Sequence, residues 1–129
     1  MRTTKSNSTP TSIFRDNITE HLSNWIAMLG LKEWDITWHI ATNNDECANA
    51  LAEVQVESSI KWAHICINKE SEFKKNTDRS LEQVIIHELL HVKFALIQPD
   101  DLDTTEYRVQ HQLIDELASV LYKIKNHLV

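Results

Sequence analysis

Apolar residues recur at three- and four-residue steps in three stretches of this chain, and each stretch predicts a helix with one buried face. The first carries Ile18, Leu22, Trp25, Ile26 and Leu29; Ser12 or Asp16 can cap its start and Gly30 is placed to end it, which predicts a helix over 13–29. The second carries Leu81, Val84, Ile85, Leu89, Val92 and Leu96, with Thr77, Asp78 or Ser80 as caps, and should run to about Ile97 before Pro99 stops it. The third, from about Thr105 to Asn126, sets Val109, Leu113, Ile114, Leu117, Val120, Leu121 and Ile124 along one stripe. Between the first two the period drops to two. Trp34 to Ile40 alternates and is rich in β-formers, Ala50 to Glu57 alternates Ala or Val with Glu or Gln, and Ile60 to Asn68 follows Ser58-Ser59. These predict one strand and then a hairpin, whose second arm has Ala63, Ile65 and Ile67 on one face and Trp62, His64 and Cys66 on the other. Lys69 to Asp78 reads as a charged turn and Asp100 to Thr105 as an acidic connection with capping residues.

The predicted fold class is α+β: an N-terminal helix, a small three-stranded sheet, and two long helices packed as a hairpin. With 129 residues the chain is long enough for one domain with its own core, expected over 13–129 after a polar, disordered tail at 1–12. Composition removes several function classes. A single glycine, Gly30, excludes Gly-rich phosphate loops. The net charge is −6 and the densest basic group is only Lys74, Lys75 and Arg79, a solvated loop, so no nucleic-acid partner is expected. The first residues lack an apolar signal segment, and no stretch approaches the roughly 18 apolar residues of a membrane span, so a cytoplasmic chain with no membrane partner is expected. Cys47 and Cys66 are too few for a disulfide framework and too far apart for a C-x-x-C clip; both are expected reduced and buried.

One segment carries chemistry. His87-Glu88-Leu89-Leu90-His91 writes H-E-x-x-H inside the second predicted helix. Residues four apart share a helix face, so two imidazoles can grip one Zn2+ ion while the Glu between them reaches a water. A catalytic zinc needs a third protein ligand and an open position. The metzincin spacing would require Gly and His where the chain has Phe94 and Ile97, which excludes that class. The remaining donors, Glu106, His111 and Glu116, lie on the last helix. An antiparallel hairpin brings the first two turns of that helix back to the motif, which leaves Glu106 and His111 as alternatives and Glu116 the poorest placed.

The sequences Leu29-Gly30-Leu31 with Trp34-Asp35-Ile36, Ala63-His64-Ile65-Cys66-Ile67 and His87-Glu88-Leu89-Leu90-His91 together resemble small phage and prophage metallopeptidases related to the minigluzincins and to the ImmA/IrrE peptidases, over residues 25–121. In those families the helix after the motif reads E-x-x-apolar-x-x-apolar-Ala, and its first Glu binds zinc. His111-Gln112-Leu113-Ile114-Asp115-Glu116-Leu117-Ala118 fits that frame with His where the families have Glu. The resemblance implies zinc-dependent hydrolysis of a protein or peptide in the cytoplasm, the host's if the chain is phage-encoded, with metal on His87, His91 and His111 and Glu88 as general base. It also implies an edge strand that pairs with extended substrate, matched here to the strand of His64. The rival reading is a zinc-stabilised, phage-associated binding or regulatory protein without turnover, for which Glu88 would have no use. Tyr107 is a rim residue able to meet an oxyanion or simply to pack. His21, His39 and His127 are expected at the surface, and Trp25, Trp34, Trp38 and Trp62 in core and sheet packing.

Overall fold

The computed structural model describes residues 10–75, 78–98, 101 and 103–127. In chain order the elements are α1 (Pro10–Met28), β1 (Asp35–Ile40), β2 (Ala52–Glu57), β3 (Trp62–Ile67), a short α2 (Glu70–Lys75), α3 (Leu81–Lys93) and α4 (Thr105–His127). Helices and a single small sheet make this an α+β fold. Among the described residues no helix is long and apolar enough to cross a membrane. Helix α1 takes in residues 10–12 of the expected tail, while residues 1–9 lie outside the described residues, as does the possible cap Thr77.

Phe14, Ile18, Leu22 and Trp25 recur along one side of α1, and none is more than 5% exposed. The helix ends where its periodicity predicts. Gly30 takes φ 72°, Leu31 N–H reaches back to Ile26 O at 2.8 Å and Gly30 N–H to Ala27 O at 3.2 Å, a Schellman closure that turns Leu31 into the core. The sheet order is β1-β3-β2, with β1 parallel and β2 antiparallel to β3. Strand β3 is therefore the centre of the sheet and β2 an edge, which corrects the assignment of the His64 strand to an edge. Ala63, Ile65 and Ile67 are fully buried against the helices, as the alternation predicts.

Residues 69–78, expected as a turn, contain α2 instead. Its acids, Glu70 and Glu72, fall in the first turn and its bases, Lys74 and Lys75, in the last, so the charge order suits the helix dipole. Phe73 anchors it by packing on Phe14, ring centroids 5.6 Å apart. Ser80 caps α3, its side chain accepting Gln83 N–H at 3.1 Å. Helix α3 ends at Lys93, not near Ile97: Phe94 leaves helical geometry, residues 95–97 form a 3-10 turn, and Gln98, which precedes Pro99, is extended. Thr104 opens α4 by accepting Tyr107 N–H at 3.1 Å.

Every residue from Val84 to Leu90 is buried, with α1, the sheet and α4 packed around α3. The apolar stripe expected on α4 divides in consequence. Ile114 and Ala118 are buried and Leu121 packs beside them, whereas Val109, Leu113, Leu117, Val120 and Ile124 are between 37% and 58% exposed. An outermost helix on an already covered neighbour needs only a narrow seam. Near the end of that seam Glu82, buried in the first turn of α3, accepts hydrogen bonds from Trp25 Nε1 (2.7 Å), Asn126 Nδ2 (3.1 Å) and Lys125 Nζ. Burial alone would raise the Glu82 carboxyl; these donors outweigh it and hold the group below the usual carboxylate range. Three helices thus meet on one carboxylate. Glu82→Ala leaves Lys125 and the Trp25 indole N–H without their acceptor, and should cost about 3–5 kcal/mol in urea unfolding, the range for breaking one side of a buried ion pair; a loss under about 1 kcal/mol would mean that the three contacts carry no stability.

Candidate metal centre

Helix α3 projects His87 and His91 one turn apart on the side that faces α4, and α4 runs antiparallel to it with His111 opposite the pair. The three ring centroids form a nearly equilateral triangle: 4.9 Å for His87 to His91, 5.1 Å for His87 to His111 and 5.2 Å for His91 to His111. One ligand nitrogen from each ring lies within 4.8 Å of the other two. His87 Nε2 and His91 Nε2 are 3.1 Å apart. A tetrahedral transition ion with metal–nitrogen bonds of 2.0–2.1 Å spaces its nitrogens about 3.3 Å apart, so the donor set fits such an ion. Burial holds His87 and His91 below their ordinary values, His91 down to about 4, with the neighbouring imidazoles adding to the effect. Both are neutral at pH 7, the form that ligates metal.

Of the residues singled out in the sequence, His87, His91 and His111 come together, and Glu106 does not join them. Glu106 is exposed and faces a different groove, beside Phe94, Ile97 and Val109. Glu88 is 7% exposed and opens on a cleft of about 940 Å3 between β2 and the α3–α4 hairpin. Burial, with Glu53 nearby, pushes its carboxyl up to about 8. A divalent cation beside it would favour the ionised form and pull that value down. Tyr107 lines the same cleft, its ring 6.1 Å from that of His111.

Two residues in contact with the cluster, one through the other, escaped the sequence reading. Asp115 Oδ1 meets His87 Nδ1 at 3.0 Å, and Asp115 Oδ2 accepts from Arg79 Nη2 at 2.7 Å. With Nδ1–H donated to that carboxylate, the lone pair of His87 Nε2 points at the cluster; this is the carboxylate–histidine arrangement that orients metal ligands. The signal was present. Asp115 follows His111 by four residues and so shares its face of α4. Arg79, assigned to a solvated loop, instead lies half-buried against Asp115. In comparisons with family models, curated proteins and solved structures, nothing matches the chain.

Competition with a chromophoric chelator should show His111→Ala weakening metal binding far more than Glu106→Ala. Asp115→Ala should weaken it by roughly 10- to 100-fold, the usual effect of losing a ligand's orienting partner. Equal affinities for wild type and His111→Ala would remove His111 from the site. Chelation should also lower the melting temperature, because an ion at 100 times its Kd stabilises the fold by about 2.7 kcal/mol; an unchanged melting curve on metal removal contradicts a native-state site.

Proposed function

We propose that the protein is a minimal zinc-dependent peptidase of the minigluzincin kind, its site related to that of the ImmA/IrrE peptidases, with zinc on His87, His91 and His111 and Glu88 as general base. Zinc on these three imidazoles would supply a Lewis acid that lowers the pKa of water towards about 7 and polarises a carbonyl oxygen. Glu88 takes the proton of the attacking water and returns it to the leaving amine, so the base becomes the acid of the second half-reaction. Asp115 keeps His87 in the tautomer that presents Nε2, and Arg79 holds Asp115 in place.

The observation that carries this reading is the contrast between two carboxyls of one helix. Glu82 is buried and bonded by three donors, as a structural carboxylate should be. Glu88 is equally buried, yet among the described residues no donor bonds it, and its carboxyl opens on the cleft beside the imidazoles. A buried carboxyl that no protein donor holds, open on a cleft beside metal-ready ligands, suits proton transfer, not packing. Peptide as substrate is supported by β2, an edge strand whose Glu53, Val54 and Val56 line the same cleft. Its main chain offers an extended peptide pairing with little dependence on sequence.

The test is Glu88→Gln assayed on a denatured-protein panel and a peptide library. Gln can hydrogen-bond a water but cannot take its proton, so cleavage should fall by about 10²–10⁴ with zinc content and melting temperature retained. Wild-type protein, zinc-loaded and folded, that cleaves nothing on the panel, or a Glu88→Gln variant that cleaves at the wild-type rate, overturns the proposal.

A further inference from the structure

The face of the sheet turned away from α3 carries a second group of donors. Strand alternation puts Thr37 and His39 of β1 and His64 and Cys66 of β3 on that face, and the parallel register sets His39 opposite Cys66 and Thr37 opposite His64. The 3-10 turn Asn44–Cys47 then folds back over it, bringing Glu46 and Cys47. Cys66, Cys47 and Ala41 form a small buried cluster separate from the main core. His39 is exposed, as expected, and yet it is the centre of a network.

His39 Nε2 lies 3.2 Å from Glu46 Oε1, and one ring nitrogen of His39, one carboxylate oxygen of Glu46 and Cys66 Sγ all fall within 4.8 Å of one another. Cys47 Sγ is 2.7 Å from Cys66 Sγ. We infer that Cys66, His39 and Glu46, with Cys47 as a neighbouring thiol, form a second metal site selective for zinc. The inference does not depend on the peptidase reading. Zinc bonds of about 2.3 Å to sulfur and 2.0–2.2 Å to nitrogen and oxygen set neighbouring donors roughly 3.3–3.8 Å apart, a spacing that side-chain adjustment alone reaches here. The sulfur excludes magnesium and calcium, and the mixture of thiolate, imidazole and carboxylate suits zinc over copper(I).

The donors are also held in orientation from behind. His39 Nδ1 meets His64 Nε2 at 2.7 Å, and His64 Nδ1 meets Thr37 Oγ1 at 2.7 Å. With the proton on His39 Nδ1, this chain of bonds leaves the Nε2 lone pair on the side of Glu46. Glu46 Oε2 accepts both the N–H and the hydroxyl of Thr42, which leaves Oε1 for the ion. Such outer bonds are what hold metal ligands in place. The sulfurs are enclosed while the His39 and Glu46 side chains are 45% and 34% exposed, so an ion enters from solvent and keeps one side open to water. Bound there, it would clamp the 44–47 turn to the central strand.

Cobalt(II) separates this site from the three-histidine centre, because a thiolate ligand produces a sulfur-to-cobalt charge-transfer band in the near ultraviolet and imidazole ligands do not. The full chain, kept reduced with a phosphine and stripped of metal, should bind two Co2+ with that band present. Cys66→Ser should lose the band and one equivalent. His39→Ala, a half-exposed position that leaves the core untouched, should weaken the band-forming equivalent at least tenfold, and His87→Ala should lose the other equivalent with the band intact. One equivalent with the band would sink the three-histidine centre and leave this one standing. Uptake without the band, a band that persists in Cys66→Ser or unchanged in His39→Ala, or thiols already oxidised to a Cys47–Cys66 disulfide under these conditions would overturn the inference.

Discussion

Burying a His-Glu pair in the middle of a helix is the constraint on which the rest of the structure depends. Seven consecutive residues of α3, Val84 to Leu90, are each no more than 7% exposed, and two of the seven are ionisable. Covering such a helix takes three elements. Helix α1 contributes Ile18, Leu22 and Trp25, and β3 contributes Ala63, Ile65 and Ile67. Helix α4 is limited to the seam of Ile114, Ala118 and Leu121, because the same side must leave His87, Glu88 and His91 open to the cleft. The exposed apolar residues of α4 follow from that restriction, whereas the depressed basicity of His87 and His91 comes from their burial in α3.

The position of α4 on α3 is set by polar contacts as much as by packing. Glu82 takes Lys125 and Asn126 at one end, and His87 takes Asp115 further along. Two anchors on antiparallel helices fix both translation and rotation. Advancing α4 by one residue turns each side chain by about 100° and would swing His111 away from His87 and His91. Stability and site geometry therefore share their determinants. The same carboxylate that joins α1, α3 and α4 holds the third imidazole in register, even though it lies outside the cluster.

Legibility in the sequence followed the range of the interaction. The extents of α1 and α4 and the pairing of His87 with His91 depend on residues three or four apart, and the periodicity displays them directly. The closure at Gly30 is equally local. Sheet order is not local: β1 pairs with β3 across 27 residues in parallel, and no pattern within either strand announces that β3 lies in the centre. The proximity of His39, Glu46 and Cys66 depends on that pairing, which is why the partners of His39, a surface residue as expected, were not legible. Helix α2 was hidden by its charge, since only Phe73 marks an inward side. The α4 stripe misled for a different reason: apolar spacing shows which face is able to bury, not how much of it the neighbour will cover.

Histidine at position 111 changes the electrostatics of the cluster more than its shape. A divalent ion held by three neutral imidazoles would keep its full charge of +2, one unit more than with a carboxylate as third ligand. Nearby compensation comes from Glu88, Glu53 and Asp115, of which Asp115 is already shared with Arg79. The proton on Glu88 would then be set by opposing fields, burial and Glu53 favouring the acid and a bound cation favouring the carboxylate. A general base works best when its pKa lies near the operating pH. Against a carboxyl that burial has driven up to about 8, a strongly charged centre is the more effective counterweight. Histidine at 111 and deep burial of Glu88 are in this sense complementary, since an ion held there would offset the effect of burial on the Glu88 proton.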